Sequence, residues 1–565
     1  MKPFLFILLF LNFVLNCFGQ NFQLQVIGNS DYENKIIDSL LYNPKHKSIK
    51  SLTEEINLVS EKLSKKGFIE NQVSETVKKN DSNYIAKLNL GERIKSIHIY
   101  ISRNSVVFDL VAFDKTKDTL IIPYIETEPF LNKTLISLEQ KGFAMAKLKL
   151  TNIQRKKNLL YADLQFESGP QRQLNTIVVK FADSNKKNNF PKGHLKQINR
   201  KYNNNLFNQD IVKNIYNDFE KFRFVNQIKY PEILFTKDTT KVFVYLEKRK
   251  SNNFDGFVGF TNNDNNKLVF NGYLDLTLEN ALKAGEQLSL NWKSDGNQQT
   301  TFKANIDIPY LFKSPIGVKA QIYIFKQDSI FQNTKTSIDL GYLLDYNTRF
   351  YLGYQATESS DIQNTNNNTI SDFENSFLTT NLEYTKLDNT HSTFSKKTNL
   401  SLTLGTGKRT KNGLFETTGA DKQIFININA MHNFYWNKKN CININYQNYF
   451  LKSNNYIINE LYRFGGTNSI RGFAENSLQA NFMTAIITEY RHIISSELFI
   501  NTIMDYGYYE DKSTKTRENL VGLGFGIGIK TRNGLLKIAF SNGKTSNQKL
   551  KFENTIATIS YNIKF

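Results

Sequence analysis

The chain has 565 residues, with 72 Lys and Arg against 52 Asp and Glu, which gives a formal net charge of +20. Hydrophobic residues make up 40% and aromatic residues 13%, a composition that excludes wholesale disorder. The length predicts more than one folded domain. No apolar run after residue 20 is long enough for a membrane-spanning helix, and two cysteines exclude a disulfide framework. Two classes of protein are compatible with these observations, a multidomain soluble protein and a β-barrel membrane protein.

The amino terminus has the pattern of an export signal. Lys2 precedes an apolar run that finishes with small residues at Gly19. This order predicts a secretory signal peptide over residues 1–19, and a lipoprotein anchored through Cys17 is the alternative. Cleavage would leave Cys441 as the only thiol, so no intramolecular disulfide is expected even in an oxidising compartment.

A mixture of helical and strand patterns occurs three times between residues 20 and 250. The first copy places four apolar residues on one helical face: Leu52, Ile56, Val59 and Leu63. Gly67 stands where the C-cap of that helix belongs, and two strand-like runs follow. Each copy reads strand, helices, strand, strand. The repeat therefore predicts three α+β modules in tandem, over residues 20–91, 92–171 and 172–250.

Residues 141–201 are strongly basic. An exported protein rarely meets nucleic acid, so nucleic acid is not the expected partner. An anionic membrane surface or an acidic client fits the stretch better. A solvated basic face that keeps the protein soluble is the alternative.

From residue 254 onward helical periodicity gives way to short alternating runs between Asn-, Gly-, Lys- and Asp-rich turns. One face of these runs is aliphatic or aromatic, and the other is Asn, Lys, Thr or Gly. That contrast suits a barrel with lipid outside and water inside better than a soluble β-sandwich. At about 20 residues for each strand and its connection, residues 251–565 give about 16 antiparallel strands. The predicted fold class is tandem α+β modules followed by an all-β transmembrane barrel. Residues 361–369 are Asn-rich and read as a solvated external loop.

The carboxyl terminus is an amphipathic strand. Its apolar face carries Ala557, Ile559, Tyr561, Ile563 and Phe565. A terminal strand that ends in Phe resembles the recognition signal of outer-membrane barrels. An ordinary C-terminal strand is the alternative.

Residues 462–473 contain a Gly-Gly pair, which makes a tight turn, and an arginine between two small or apolar neighbours. The string resembles the G-G-x-x-S-[VI]-R-G-[FY] signature of the BamA/TamA-type outer-membrane assembly superfamily, also called the bacterial surface antigen family. It matches at every specified position: Gly465, Gly466, Ser469, Ile470, Arg471, Gly472 and Phe473. The predicted order of signal peptide, POTRA-like modules and 16-stranded barrel is also similar to that family.

The resemblance implies a docked loop. In the family the signature arginine lies on a loop folded into the barrel lumen, against acidic residues on neighbouring strands. Glu489 and Arg491 lie in a segment similar to the family's E-x-R strand, and Asp505 and Gly507 in one similar to its D-x-G strand. The resemblance thus implies a cluster of Arg471 with Glu489 and Asp505, with lumenal room left by the glycine row at 522–528. Ordinary solvated lumen charges are the alternative.

The resemblance also implies a lateral seam, which family members are thought to use for insertion. The presumed first barrel strand, residues 254–260, contains Gly256 and Gly259, which weaken pairing. The hypothesis is that residues 254–260 and 555–563 form this seam. Tyr561, Ile563 and Phe565 would lie on its other side.

The function implied is not enzymatic. The resemblance suggests an outer-membrane protein, with residues 20–250 in the periplasm, that inserts barrel proteins or translocates polypeptide. A TamA-like role fits three modules best. The implied partners are unfolded outer-membrane or secreted client polypeptides, periplasmic or inner-membrane accessory proteins, and outer-membrane lipid. A two-partner-secretion-type transporter and a passive porin or receptor are the alternatives.

Catalytic motifs do not occur in the sequence. It has no nucleophile elbow, zinc-protease helix, C-x-x-C pair, P-loop or dinucleotide fingerprint. The six histidines lie far apart without metal-ligand spacing. No catalytic residue, metal or cofactor is therefore expected, and a hydrolase assembled from distant residues is the alternative.

Overall fold

The computed structural model describes residues 22–565 with short gaps. The gaps are 112–113, 115, 183–189, 263–267, 295–298, 365–368, 389–393, 395, 412–419 and 547–548, and the side chains of 257–271 and 411 are likewise undescribed. The predicted signal peptide lies outside the described residues, as does the middle of the Asn-rich 361–369 segment. The chain divides into two compact units, one of Met1–Leu174 with Asn204–Gln209 and the other of Asn175–Asn203 with Asp210–Phe565.

The first module of the first unit is a helix-covered sheet. Its elements are β1 (Phe22–Gly28), α1 (Asp31–Asp38), β2 (Lys45–His46), α2 (Ile49–Lys65), β3 (Gln72–Lys78) and β4 (Asn83–Asn89). The strand order is β2-β1-β4-β3, with β1 parallel to β4. Helix α2 buries the predicted apolar stripe, Leu52, Ile56, Val59 and Leu63, against the sheet. Gly67 follows the helix with φ of +101°, a conformation that glycine adopts without strain.

The second module has the same plan, with a sheet of four strands. Its elements are β5 (Ser96–Tyr100), α3 (Val106–Leu110), β6 (Thr119–Pro123), α4 (Thr127–Gln140), β7 (Lys147–Lys156) and β8 (Leu159–Glu167). The order is β6-β5-β8-β7, and β5 runs parallel to β8. Its core includes Ile97, Ile99, Leu138 and Leu160.

The third module belongs with the barrel in the second unit. Its elements are β9 (Thr176–Phe181), α5 (Lys192–Tyr202), α6 (Gln209–Phe219), β10 (Val225–Gln227), β11 (Glu232–Phe235) and β12 (Thr240–Lys248). Strand β12 pairs in parallel with β9 and antiparallel with both β10 and β11. None of the helices among the described residues is both long and apolar enough to cross a membrane.

Sixteen antiparallel strands close into a barrel, which confirms the predicted fold class. They are β13 (Asn253–Asn262), β14 (Leu268–Glu279), β15 (Gln287–Ser294), β16 (Gln299–Ile308), β17 (Ile316–Gln327), β18 (Phe331–Leu343), β19 (Thr348–Asp361), β20 (Phe373–Leu387), β21 (Lys396–Lys411), β22 (Asp421–Tyr435), β23 (Asn440–Lys452), β26 (Phe482–Ile493), β27 (Leu498–Asp511), β28 (Thr516–Lys530), β29 (Gly534–Lys544) and β30 (Ile556–Lys564). A small hairpin, β24 (Tyr462–Phe464) with β25 (Leu478–Ala480), lies in the connection from β23 to β26.

Alternation along the strands separates an apolar outer face from a polar lumen. On β18, for example, Ile338 and Leu340 are each 58% exposed on the outer face, whereas Asp339 between them is 4% exposed. The barrel has two rims. We call the one that carries the connections at 280–286, 309–315 and 344–347 the near rim, because the third module packs on it, and the opposite one the far rim.

Candidate functional site

The connection between β23 and β26 folds into the barrel and is packed there. Phe464, Ile470 and Phe473 are buried in one cluster with Met483 of β26 and Leu520 of β28. Three signature glycines make the turns: Gly465, Gly466 and Gly472 have φ of +100°, +94° and +88°, the left-handed region that glycine adopts without a steric penalty. Ser469 lies in the same turn, where its N–H donates to the carbonyl of Gly466 at 3.2 Å.

Arg471 is the ionic centre of the loop. Its backbone N–H and its Nε donate to Oδ2 of Asp505 at 3.0 and 2.8 Å, and its Nη2 donates to Oδ1 at 2.5 Å. Its Nη1 donates to Oε1 of Glu489 at 2.5 Å, and its Nη2 also donates to the carbonyl of Thr488 at 3.0 Å. The structure therefore brings together Arg471, Glu489 and Asp505. Asp505 is 1% exposed, and such a carboxylate needs a partner because burying an unpaired charge costs several kcal/mol.

Arg491 extends this cluster without touching the loop arginine. Its Nε donates to Oε2 of Glu489 at 2.6 Å, and its Nη1 donates to Oδ1 of Asn433 at 3.0 Å. Its guanidinium carbon also lies 4.3 Å from the centroid of the Phe394 ring, within cation–π range. Asp505, Arg471, Glu489 and Arg491 thus form a chain of alternating charge that joins the loop to the lumenal wall.

Three glycines on successive strands make room for the loop. A Cβ on Gly507 of β27 would collide with Cδ1 of Ile470, one on Gly522 of β28 with the carbonyl of Arg471, and one on Gly543 of β29 with the carbonyl of Gly472. The predicted use of the whole 522–528 row is wrong. Only Gly522 of that row has a loop atom among its nearest neighbours, because the loop crosses the strands diagonally. The atoms nearest to the other three glycines belong to neighbouring strands.

The first and last strands close the barrel through a short seam. Asn253, Phe254 and Asp255 pair with Lys564, Ile563 and Asn562, whereas β13 pairs with β14 along its full length. The predicted partnering of 254–260 with 555–563 is therefore too long. In the described backbone pairings Gly256 and Gly259 have no partner on β30 and pair with β14 instead.

The carboxyl-terminal residues complete this seam. The Phe565 N–H donates to the carbonyl of Asn252 at 3.1 Å, and the Tyr561 N–H donates to Oδ1 of Asp255 at 3.3 Å. Tyr561 is 37% and Phe565 50% exposed, and Ile563 is half-buried opposite Phe254. The apolar face of the last strand therefore points outward, where lipid is expected.

The sequence did not single out His194, which fixes the third module on the near rim. The ring of His194 packs against five aromatic rings: Phe190, Phe222 and Phe224 of the module and Tyr310 and Tyr346 of the near rim. Neither ring nitrogen has a hydrogen-bond partner among the described residues. Burial, with a smaller contribution from the cation of Arg349, lowers the pKa of His194 from 6.5 to about 3.

Ion pairs surround this aromatic cluster. Lys221 lies 3.2 Å from Asp345 and Arg223 lies 3.3 Å from Glu279, so each joins the module to the rim. No group of His, Cys, Asp and Glu within the described parts of the chain is arranged to hold a metal ion.

Known proteins share this architecture. A family model described as the Omp85 superfamily domain matches residues 280–563. CdiB from Acinetobacter baumannii is 13% identical with a TM-score of 0.51, over 84% of this chain and 90% of that one. BamA from Haemophilus ducreyi lacking POTRA domains 1–3 is 14% identical with a TM-score of 0.47, over 83% and 98%. CdiB from Escherichia coli is 12% identical with a TM-score of 0.49, over 91% and 97%. No curated protein matches the sequence. At 13% identity the structure of CdiB from Acinetobacter baumannii shows a likeness of fold alone.

Proposed function

Because the chain belongs to the Omp85 superfamily, we propose that it inserts client polypeptides into the outer membrane, in the manner of a TamA-like assembly factor. A sixteen-stranded barrel of this superfamily is an outer-membrane protein, and membership supports insertion or translocation of polypeptide. In this proposal residues 20–250 lie in the periplasm and receive unfolded clients, and the far rim faces the outside. The protein acts without chemistry on its client and without a cofactor.

The docked loop is the observation that carries this proposal. Arg471 of this loop is 8% exposed and bound to two carboxylates of the wall, so the loop is held inside the lumen. A buried ion cluster contributes little net stability compared with an apolar one, but it specifies a single arrangement. We infer that it holds the loop in one resting position from which the loop can be released.

The short seam supports insertion rather than passive diffusion. Beyond Asp255 the backbone of β13 has no partner on β30 among the described pairings. An unpaired strand edge is a template for another strand. An incoming client strand could therefore pair with β13 and widen the seam without breaking a long ladder.

Single-channel conductance of the purified chain in a planar bilayer tests the proposal. The native protein should give a small, flickering conductance, and deletion of residues 462–480 should make it large and steady. Arg471→Glu should move the conductance in the same direction, because it places a carboxylate against Asp505 and Glu489. Arg517→Glu is the matched control, since Arg517 pairs with Glu510 on the barrel with 69% of its side chain exposed.

A large, steady conductance in the native protein that the deletion leaves unchanged would favour a passive porin and overturn the proposal. The direct assay is insertion of an unfolded barrel client into proteoliposomes that contain the chain. Native insertion activity in Arg471→Glu would contradict the role given to the docked loop.

A further inference from the structure

A second arginine holds the loop, far from Arg471 in sequence. Arg409 lies near the far-rim end of β21, and its side chain is fully buried. It pairs with Glu460 of the loop through Nη1. Its Nη2 donates to Oδ2 of Asp421 on β22 at 2.5 Å and to the carbonyl of Asn455 at 3.2 Å. Gln423 donates to the other oxygen of Glu460 at 2.7 Å, so both oxygens of this loop carboxylate are held by the wall.

Asn459 fixes the same stretch to three further positions. It is 1% exposed, and its Nδ2 donates to Oγ of Ser359 and to the carbonyl of Ser371, both at 2.8 Å. Its own carbonyl accepts from Nδ2 of Asn333 at 2.5 Å. The neighbouring Ile458 N–H donates to the carbonyl of Thr369 at 2.8 Å.

These contacts define an outer limb of the loop, residues 455–461, that is separate from the signature. The outer limb is held by groups of β18, β19, β21 and β22 and of the connection before β20. Arg471 is held by groups of β26 and β27. The two anchors share no strand, so none of these wall residues contacts both.

We propose that the outer limb is a lid over the far rim, positioned by Arg409, and that it opens independently of the Arg471 anchor. Its purpose as a gate for a client rests on the proposed function. The lid and its anchor themselves can be measured without any client.

The charges around Arg409 explain why this residue decides whether the lid is closed. One guanidinium pairs with two carboxylates, Glu460 of the lid and Asp421 of the wall. Without it these two carboxylates would face each other across the same site, and like charges repel. Lysine keeps the charge but offers a point ammonium, which cannot replace a planar fork that reaches three acceptors. Arg409→Ala should therefore open the lid most, Arg409→Lys partly, and Glu460→Gln less than either, since the amide can still accept from Arg409.

Ile457 supplies a reporter, because it lies in the outer limb and is 1% exposed when the lid is closed. The experiment introduces Ile457→Cys in a Cys441→Ser background and measures labelling by a membrane-impermeant maleimide in proteoliposomes. The full chain is used, and heat-modifiable gel migration shows that each barrel is folded. Adding Arg409→Ala should speed labelling by about tenfold or more, since the lid loses hydrogen bonds to a charged group.

Matched variants separate the two anchors. Arg471→Ala and the exposed control Arg517→Ala should leave the labelling rate of Ile457→Cys near that of the parent. A folded Arg409→Ala chain that labels no faster would overturn the proposal, as would equal acceleration by Arg471→Ala. Opening of the lid without any change in client insertion would support the lid and count against the proposed function, so the two failures are distinct.

Discussion

Acidification should loosen the docking of the third module on the near rim, and His194 is the reason. Its ring lies among five aromatic rings with no hydrogen-bond partner for either nitrogen within the described structure. Burial and the Arg349 cation lower its pKa from 6.5 to about 3. Protonation therefore favours the undocked or unfolded state, in which water can solvate the imidazolium.

The sign follows from linkage. The folded pKa lies below the unfolded one, so the stability that neutral His194 provides is complete above pH 6.5. It is lost as the pH falls from 6.5 towards about 3. Between pH 7 and pH 4.5 the loss is about 2.5 kcal/mol, which is close to a hundredfold change in the opening equilibrium.

Two neighbouring carboxylates, Asp218 and Asp345, titrate below this interval. Although burial opposes it, hydrogen bonds from Lys201, Lys221 and Tyr202 lower the pKa of Asp218 below 3.8. Contacts with Lys221 and two backbone N–H groups likewise lower the pKa of Asp345. The stability that these two carboxylates provide is lost only below pH 3.8, so they do not account for a change between pH 7 and 4.5.

Hydrogen exchange of helix α5 (Lys192–Tyr202) measures this effect in the full chain in detergent micelles. Rates at pH 7 and 4.5 are each divided by the intrinsic chemical rate at that pH. The opening of native α5 should increase close to a hundredfold at pH 4.5, and a His194→Leu variant, which keeps the site apolar, should show little pH dependence. Equal pH dependence in the two proteins would refute the assignment to His194.

Further substitutions test the path of the loop across the strands and the seam between β13 and β30. Gly522→Ala should weaken loop docking by about 1–3 kcal/mol, because its Cβ would meet loop backbone, whereas Gly507→Ala should cost less because it meets a rotatable side-chain end. Steady conductance in Gly507→Ala but not in Gly522→Ala would contradict this order. The double variant Phe254→Cys with Ile563→Cys replaces a directly paired couple. Its oxidised form should lose client insertion, and reduction should restore it. Unchanged insertion in the oxidised form would rule out the seam as a lateral gate.

Most of the prediction of the fold and the site rested on the alternation of apolar and polar residues and on one short motif. A lumen filled with water and an outside covered by lipid impose a period of two on every strand, so the barrel and the outward face of residues 557–565 could be read locally. The signature at 462–473 identified the superfamily that the family model also matches. Glu489 and Asp505 could be placed on the lumenal face because each follows the same alternation beside outward-facing Tyr490 and Met504.

Register could not be predicted in the same way. Every shift by two residues keeps the same side chains facing lipid, so alternation does not decide how far β13 and β30 overlap. The overlap proved to be Asn253–Asp255 alone in the described pairings. Which glycines meet the loop depends on the path of the loop across the strands, and the sequence pattern contains no information on that path.

Arg409 and His194 were missed because single residues give no periodic signal. Arg409 is one polar side chain on a lumenal face that holds many, and its partner Glu460 lies 51 residues away in a connection without regular pattern. His194 lies on helix α5, and its basic sequence is typical of a helix exposed to solvent. His194 is buried by turns of the near rim that come from distant parts of the chain.

The two arginine anchors explain how one loop conformation is selected in a lumen with many polar groups. At the signature the cation is on the loop and the carboxylates are on the wall. At the far rim the cation, Arg409, is on the wall and the carboxylate, Glu460, is on the loop. A displaced loop that brought Arg471 towards Arg409, or Glu460 towards Asp505, would bury like charges together, which costs several kcal/mol. The opposite placement of charge at the two anchors thus disfavours other paths of the loop and stabilises the observed one. A double variant that exchanges the two charges of one anchor only should therefore weaken loop docking more than a variant that removes those charges.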